Sequence, residues 1–355
     1  MSDYWALGGL LLGLCAVAMG QSERNSRIDF EQENHGWFVL PGADGKVERT
    51  TNPHDVKSGK YALVYTYTVA QGKFNAIVRL EPESWAQGFR FWVKTDHPTM
   101  LVFVVSEEGG ERWQVPFWCG HNEWQQITLT LSDFMPTDDS QPQNGKLDME
   151  RAEGIGFLDA GALLVAAAPE TGLLFGDKRG TRMLWLDDFE FLSKAPPRKA
   201  SSPDILDDFQ RDYLMWFATQ GVRIQPEAGA MRVEYKQEFP WLLAVARPLP
   251  KGVLTDAKGL QITLQVKNVT TLAVVLEEED GERWMASRPV GGEDRPETLR
   301  FEWKEFTPTD DTKGKGDGKL LPAKVKLLSL VDMGVLTGEA QPANRWLVRM
   351  VKQER

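Results

Sequence analysis

Apolar and polar positions alternate along the chain. Phe89, Phe91 and Val93 interleave with Arg90, Trp92 and Lys94, and Leu260, Ile262, Leu264 and Val266 interleave with Gln261, Thr263, Gln265 and Lys267. A period of two marks a strand with one face against a core and the other turned away. Similar β-branched and aromatic runs stand at 101–105, 112–118, 126–131, 272–276 and 298–303, separated by Gly, Asp, Pro and Asn. Only the short, alanine-rich stretch 162–168 interrupts them with a helical pattern. The pattern predicts an all-β sandwich.

The alternation occurs twice because the chain is a duplication. Gly110-Glu111-Arg112-Trp113 returns as Gly281-Glu282-Arg283-Trp284. Phe134-Met135-Pro136-Thr137-Asp138-Asp139 returns as Phe306-Thr307-Pro308-Thr309-Asp310-Asp311, and Gly145-Lys146-Leu147 as Gly318-Lys319-Leu320. The offsets are 171, 172 and 173, so the matches are collinear. A stretch at 194–203 with three prolines and two serines reads as a stiff linker. The expected layout is therefore one sandwich domain at 27–193 and a second, degenerate copy at 204–355. Further on, Trp185-Leu186 aligns with Trp346-Leu347 at an offset of 161, which places about a dozen extra residues in the first copy within 159–182. Such an insert is either a tolerated surface loop or the seat of a private function.

Composition narrows the functions. The 355 residues carry a net charge of −10, which disfavours nucleic acid and anionic membrane surfaces as partners. Leu7–Met19 is an uncharged apolar run whose end supplies the small-x-small pattern Ala18-Met19-Gly20, a signal-peptide pattern covering 1–20. It lacks the usual basic start. The pattern predicts a secreted or periplasmic protein with no membrane span after cleavage, which leaves Cys119 as a single thiol suited to a small buried position. No paired-histidine metal spacing, nucleophile elbow or phosphate-cradling glycine loop is present, so a non-enzymatic role is expected.

The order of elements carries a resemblance. Each copy opens on an acidic-aromatic strand, Ile28-Asp29-Phe30-Glu31 or Leu206-Asp207-Asp208-Phe209. A Gly-Glu-Arg-Trp hairpin follows, and the first copy closes on Trp185-Leu186-Asp187-Asp188-Phe189-Glu190-Phe191. This resembles the galactose-binding-domain-like jelly roll, particularly the carbohydrate-binding modules of family 11 and its relatives. The resemblance implies two tandem jelly-roll β-sandwich domains and binding of a polysaccharide or oligosaccharide; an extracellular scaffold that binds protein is the alternative. It also implies a structural calcium in the first domain only, held by the closing acid Asp187 with Glu31 or Asp29. The second copy has Arg345-Trp346-Leu347-Val348-Arg349-Met350 where those closing acids stand.

Alternation itself gives a candidate ligand face. Trp92 and Trp118 fall out of phase with their strands' apolar set, and neighbouring strands are expected to bring Arg90, Trp92, Arg112, Gln114 and Trp118 onto one outer surface. A flat indole ringed by donors suits a pyranose, whose C–H face stacks while its hydroxyls bond. The competing expectation is that these tryptophans cover a domain–domain contact or lie beneath a loop. By the same alternation Trp185, Asp187, Phe189 and Phe191 share an inward face, where Asp187 needs either a cation or backbone N–H donors.

Overall fold

The computed structural model describes residues 26–355 apart from 121, 138–139, 141–143, 169–171, 173–175, 196–201, 211–214, 237–242 and 339–342. The signal pattern and the middle of the linker lie outside the described residues. The apolar runs form antiparallel strands in four six-stranded sheets, two for each copy. The first sheet runs Lys46–Thr50, Ala62–Val69, Gly180–Leu192, Gly88–Thr95, Gln125–Thr130, with Ser26–Ile28 also paired to Gly180–Leu192. The second runs Met135–Pro136, Arg112–Cys119, Thr99–Glu107, Ala152–Asp159, Ile77–Leu80, Trp37–Val39. Residues 205–354 repeat this plan, with Gly259–Val266 at the place of Gly88–Thr95 and Thr270–Glu278 at that of Thr99–Glu107.

The expected parity holds in the central strands. Phe89, Phe91 and Val93 are fully buried between the two sheets, as are Leu260, Ile262, Leu264 and Val266 in the second copy. The alanine-rich stretch forms the helix Ala160–Ala167, capped by Asp159, whose carboxylate accepts the Ala162 amide. Cys119 is buried as expected of a small hydrophobe, and burial pushes its thiol up to about 12.

The closing strand departs from simple alternation. Gly180–Leu192 contains a bulge between Asp187 and Glu190, with Asp188 in the left-handed region at φ +48. An extra residue in one strand reverses which side chains face inward. Leu184 and Leu186 join Phe189 and Phe191 in the core, whereas Trp185 and Asp187 lie on the outer side beneath 52–60. The expectation that Trp185 and Asp187 point into the core is thereby corrected. The same reasoning corrects the alignment of the copies. Trp346 pairs with Val266 and is fully buried; the residue in the matching register of the first copy is Leu184, paired with Thr95. The two tryptophans thus occupy opposite faces.

Candidate functional site

The predicted ligand face does not assemble. Arg90 and Trp92 sit on Gly88–Thr95 in the first sheet, while Arg112, Gln114 and Trp118 sit on Arg112–Cys119 in the second. Outward side chains of the two sheets of a sandwich look in opposite directions. Chain neighbours in a jelly roll hop between sheets, which no strand's own periodicity reveals.

Each residue has a definite place. Trp118 is 5% exposed and belongs to the core cluster of the second domain, with Met100 beside it and Arg112–Cys119 running against Phe217–Ala218. It covers the domain–domain contact. Close by, Glu123 pairs with Arg223 and accepts from Gln225 at 3.3 Å. Arg112 is exposed, and Gln114 is half-buried opposite Met135 and Val104. Arg90 is bound to Glu190 at 2.6 Å. Trp92 is half-buried on the outer side of the first sheet, with the Lys57 ammonium 4.0 Å from the ring centre.

The three acids expected to hold calcium are engaged by N–H donors. Asp187 Oδ2 accepts the amides of Lys57 and Ser58 at 2.9 and 3.0 Å, and Oδ1 accepts that of Asp188 at 2.8 Å. Glu31 Oε1 accepts the amides of Lys60 and Tyr61, and Asp29 accepts that of Glu31. Backbone N–H donors, the alternative to a cation expected for Asp187, are thus present at all three acids. Burial pushes the Asp187 carboxyl up to about 6 against the pull of those amides. Among the described residues no ready group of three or more His, Cys, Asp or Glu side chains is placed to hold a metal.

Two clefts are more open. One in the first domain, about 730 Å³, lies at one end of the sandwich. Trp85 and the buried Trp113 line it with Ser84, Gln87, Ser132 and Asp148. Trp85 is half-buried: its body packs on the core and its indole N–H donates to Glu83 at 3.0 Å. Sequence reasoning missed this cleft because its walls come from three loops. The other, about 650 Å³, lies in the second domain among Arg223, Glu234, Lys236, Lys267 and Arg345, with Arg223 and Arg345 paired to Glu123 and Asp294.

A buried polar network was also missed. Asp159 accepts from Tyr67 Oη at 2.6 Å, from Thr99 Oγ1 and from the Ala162 amide, and contacts His97 Nε2 at 2.8 Å; His97 Nδ1 lies 2.7 Å from Asp96. The second copy repeats it with Asp332, Tyr235, Thr270 and the Gly334 amide. The repeated signal was an aspartate closing an apolar run, Phe157-Leu158-Asp159 and Leu330-Val331-Asp332.

Comparison with known proteins now bears on the first domain. Residues 22–160 match the family model of the carbohydrate binding domain (family 11). This stretch includes the whole Trp85 cleft. Among solved structures, the family 11 module of the cellulosomal cellulase Lic26A-Cel5E of Clostridium thermocellum is similar at 14% identity, with 49% of this chain and 98% of that chain covered and a TM-score of 0.36. The family 11 module from the same organism in complex with a β-1,3-1,4-mixed-linked tetrasaccharide is similar at 18% identity over 48% of this chain and 96% of that chain, TM-score 0.36. The tandem CBM22-1–CBM22-2 domain of Paenibacillus barcinonensis Xyn10C is similar at 13% identity over 94% and 98%, TM-score 0.30. No curated protein matches. Among the described residues no helix is long and apolar enough to cross a membrane.

Proposed function

We propose that the protein is an exported, non-catalytic carbohydrate-binding protein whose first domain recognises a polysaccharide or oligosaccharide in the Trp85 cleft. The observation that carries this is the coincidence of that cleft with the stretch matching the family model. Trp85 offers a flat apolar surface for a sugar's C–H face. Ser84, Gln87, Ser132 and Asp148 offer hydroxyl, amide and carboxylate partners around it. Lys57 over Trp92 and the second domain over Trp118 leave those indoles less available.

The test is titration of the full chain with soluble β-glucans and xylans. Trp85→Ala is expected to weaken binding by about tenfold, the loss of one stacking contact, in titrations run well below a melting temperature that falls with the loss of an indole packed on the core. Trp92→Ala serves as the comparison variant. Binding that survives Trp85→Ala but disappears with Trp92→Ala would return the site to the outer side of the first sheet. No saccharide binding at all, together with capture of a protein partner, would favour the scaffold reading.

A further inference from the structure

The two copies differ in what lies over the outer side of their first sheet. In the first domain the segment 51–61 joins Lys46–Thr50 to Ala62–Val69. It folds across the sheet: the Lys57 and Ser58 amides cap Asp187, Asp55 pairs with Lys94 at 2.6 Å, and the Lys57 ammonium sits over Trp92. In the second domain the matching strands, Val222–Pro226 and Met231–Tyr235, are joined by 227–230 alone. Mutual backbone bonds of 2.9 Å between Glu227 and Ala230 close that turn. A turn so short cannot reach across the sheet, and the side chains beneath are partly open to solvent.

Those side chains are largely cationic. Register places Arg223, Glu234, Arg345 and Lys267 in one row across four strands. Arg232, Arg349 and Lys352 stand further along the same side. Such a cluster runs against the net charge of −10 of the whole chain. Acids at the rim engage part of it: Glu123 takes Arg223, Glu227 takes Arg232 at 3.0 Å, and Asp294 lies 3.5 Å from Arg345. Among the described residues Arg349, Lys267 and Lys352 have no carboxylate at ion-pair distance. Arg349, at the middle of the face, donates to the Gln265 amide oxygen at 3.1 Å, and its Nε is buried with no acceptor.

We propose that this face of the second domain binds an acidic polysaccharide, one whose sugars carry carboxylates. The Arg349 fork matches a carboxylate at the centre, and Lys267 and Lys352 supply point charges toward either end. Gln225, Gln265 and Thr263 offer uncharged hydrogen-bonding groups to hydroxyls between them. A neutral glycan leaves the three unpaired cations unused. A nucleic acid, with its denser charge, is disfavoured by the acidic rim and the net charge of the chain. No aromatic ring lies on this side among the described residues, so binding is electrostatic and falls with salt. The site does not rest on the Trp85 cleft, which lies in the other domain.

The experiment is titration of the full chain with polygalacturonate at about 20 and about 200 mM NaCl, between which the screening length falls roughly threefold. Methyl-esterified polygalacturonate is the uncharged form of the same polymer, and dextran sulfate presents sulfate instead. Polygalacturonate is expected to bind at low salt, with the ester and the higher salt each weakening binding about tenfold or more. Arg349→Gln should weaken it about tenfold, the loss of a charge-assisted bond, and Arg349→Lys by less. The pair Lys267→Gln and Lys352→Gln gives a second test that leaves Arg349 in place. Arg179→Gln, the same charge change at an exposed site of the first domain, should alter nothing. Equal binding of the ester, no binding of polygalacturonate at low salt, or a preference for dextran sulfate overturns the proposal. Binding undiminished in both Arg349→Gln and the lysine pair overturns it equally, since the polymer then lies elsewhere. Failure of neutral glucans to bind bears only on the Trp85 cleft.

Discussion

Trp118→Ala is expected to cost about 3–5 kcal/mol, the usual range for deleting a large buried aromatic, and to separate the unfolding of the two domains. The indole comes from a strand of the first domain but is buried among core residues of the second, so its removal leaves a cavity in the contact itself. Folding of each domain is thereby coupled to the presence of the other. The parent chain should show one calorimetric transition and the variant two. Arg223→Ala gives the contrast: its ion pair with Glu123 is about half exposed on both sides, and exposed pairs contribute roughly 0–1 kcal/mol. If Trp118→Ala loses less than Arg223→Ala, the indole does not hold the domains together.

The same residue shows what could be read from the sequence. Alternation correctly separated Trp118 from Val115 and Phe117, which belong to the first domain's core. Periodicity tells one face from the other within a strand; it says nothing about what a neighbouring domain lays over the outer one. Gly88–Thr95 and Thr99–Glu107 adjoin in sequence yet belong to different sheets, so they meet only through inward residues such as Phe91 and Phe103, and their outward residues do not share a surface. The predicted ligand face failed at that crossing. Asp187 failed for a different reason. The bulge at Asp188 rests on one residue's backbone angle, and a one-residue phase change leaves the aromatic pattern Trp185, Phe189, Phe191 looking regular while moving Trp185 outward. The glutamate pairs Glu107/Glu111 and Glu278/Glu282 of the repeated hairpin were visible as repeated letters. Their burial was not, because charged residues in a hairpin normally face water.

Loss of the Asp159 carboxylate is the second large effect expected. Asp159→Ala leaves the Tyr67 and Thr99 hydroxyls, the Ala162 amide and His97 without their common acceptor in a fully buried site. Removing one member of a buried charged network costs about 3–5 kcal/mol. His97→Asn should cost much less, because the second copy satisfies Asp332 with Tyr235, Thr270 and the Gly334 amide, and carries Asn268 where the first has His97. The two variants also differ in pH dependence. Burial alone would lower the His97 pKa, but its bonds to Asp159 and Asp96 raise it above 6.5; burial would raise the two aspartates, but His97 holds both below 3.8. A raised histidine pKa contributes stability that is present below about pH 6.5 and lost as pH climbs through the folded value. Depressed aspartate pKa values contribute stability present above about pH 4 and lost as pH falls through them. The network is therefore strongest between roughly pH 4 and 6.5, and the first domain should weaken as pH rises from 6 to 8. In urea titrations followed at a first-domain tryptophan, that decline should be visible in the parent chain and absent from His97→Asn. An identical alkaline decline in both would mean that the imidazole is a neutral hydrogen-bonding group and that Asp159 is held, as Asp332 is, by uncharged donors alone.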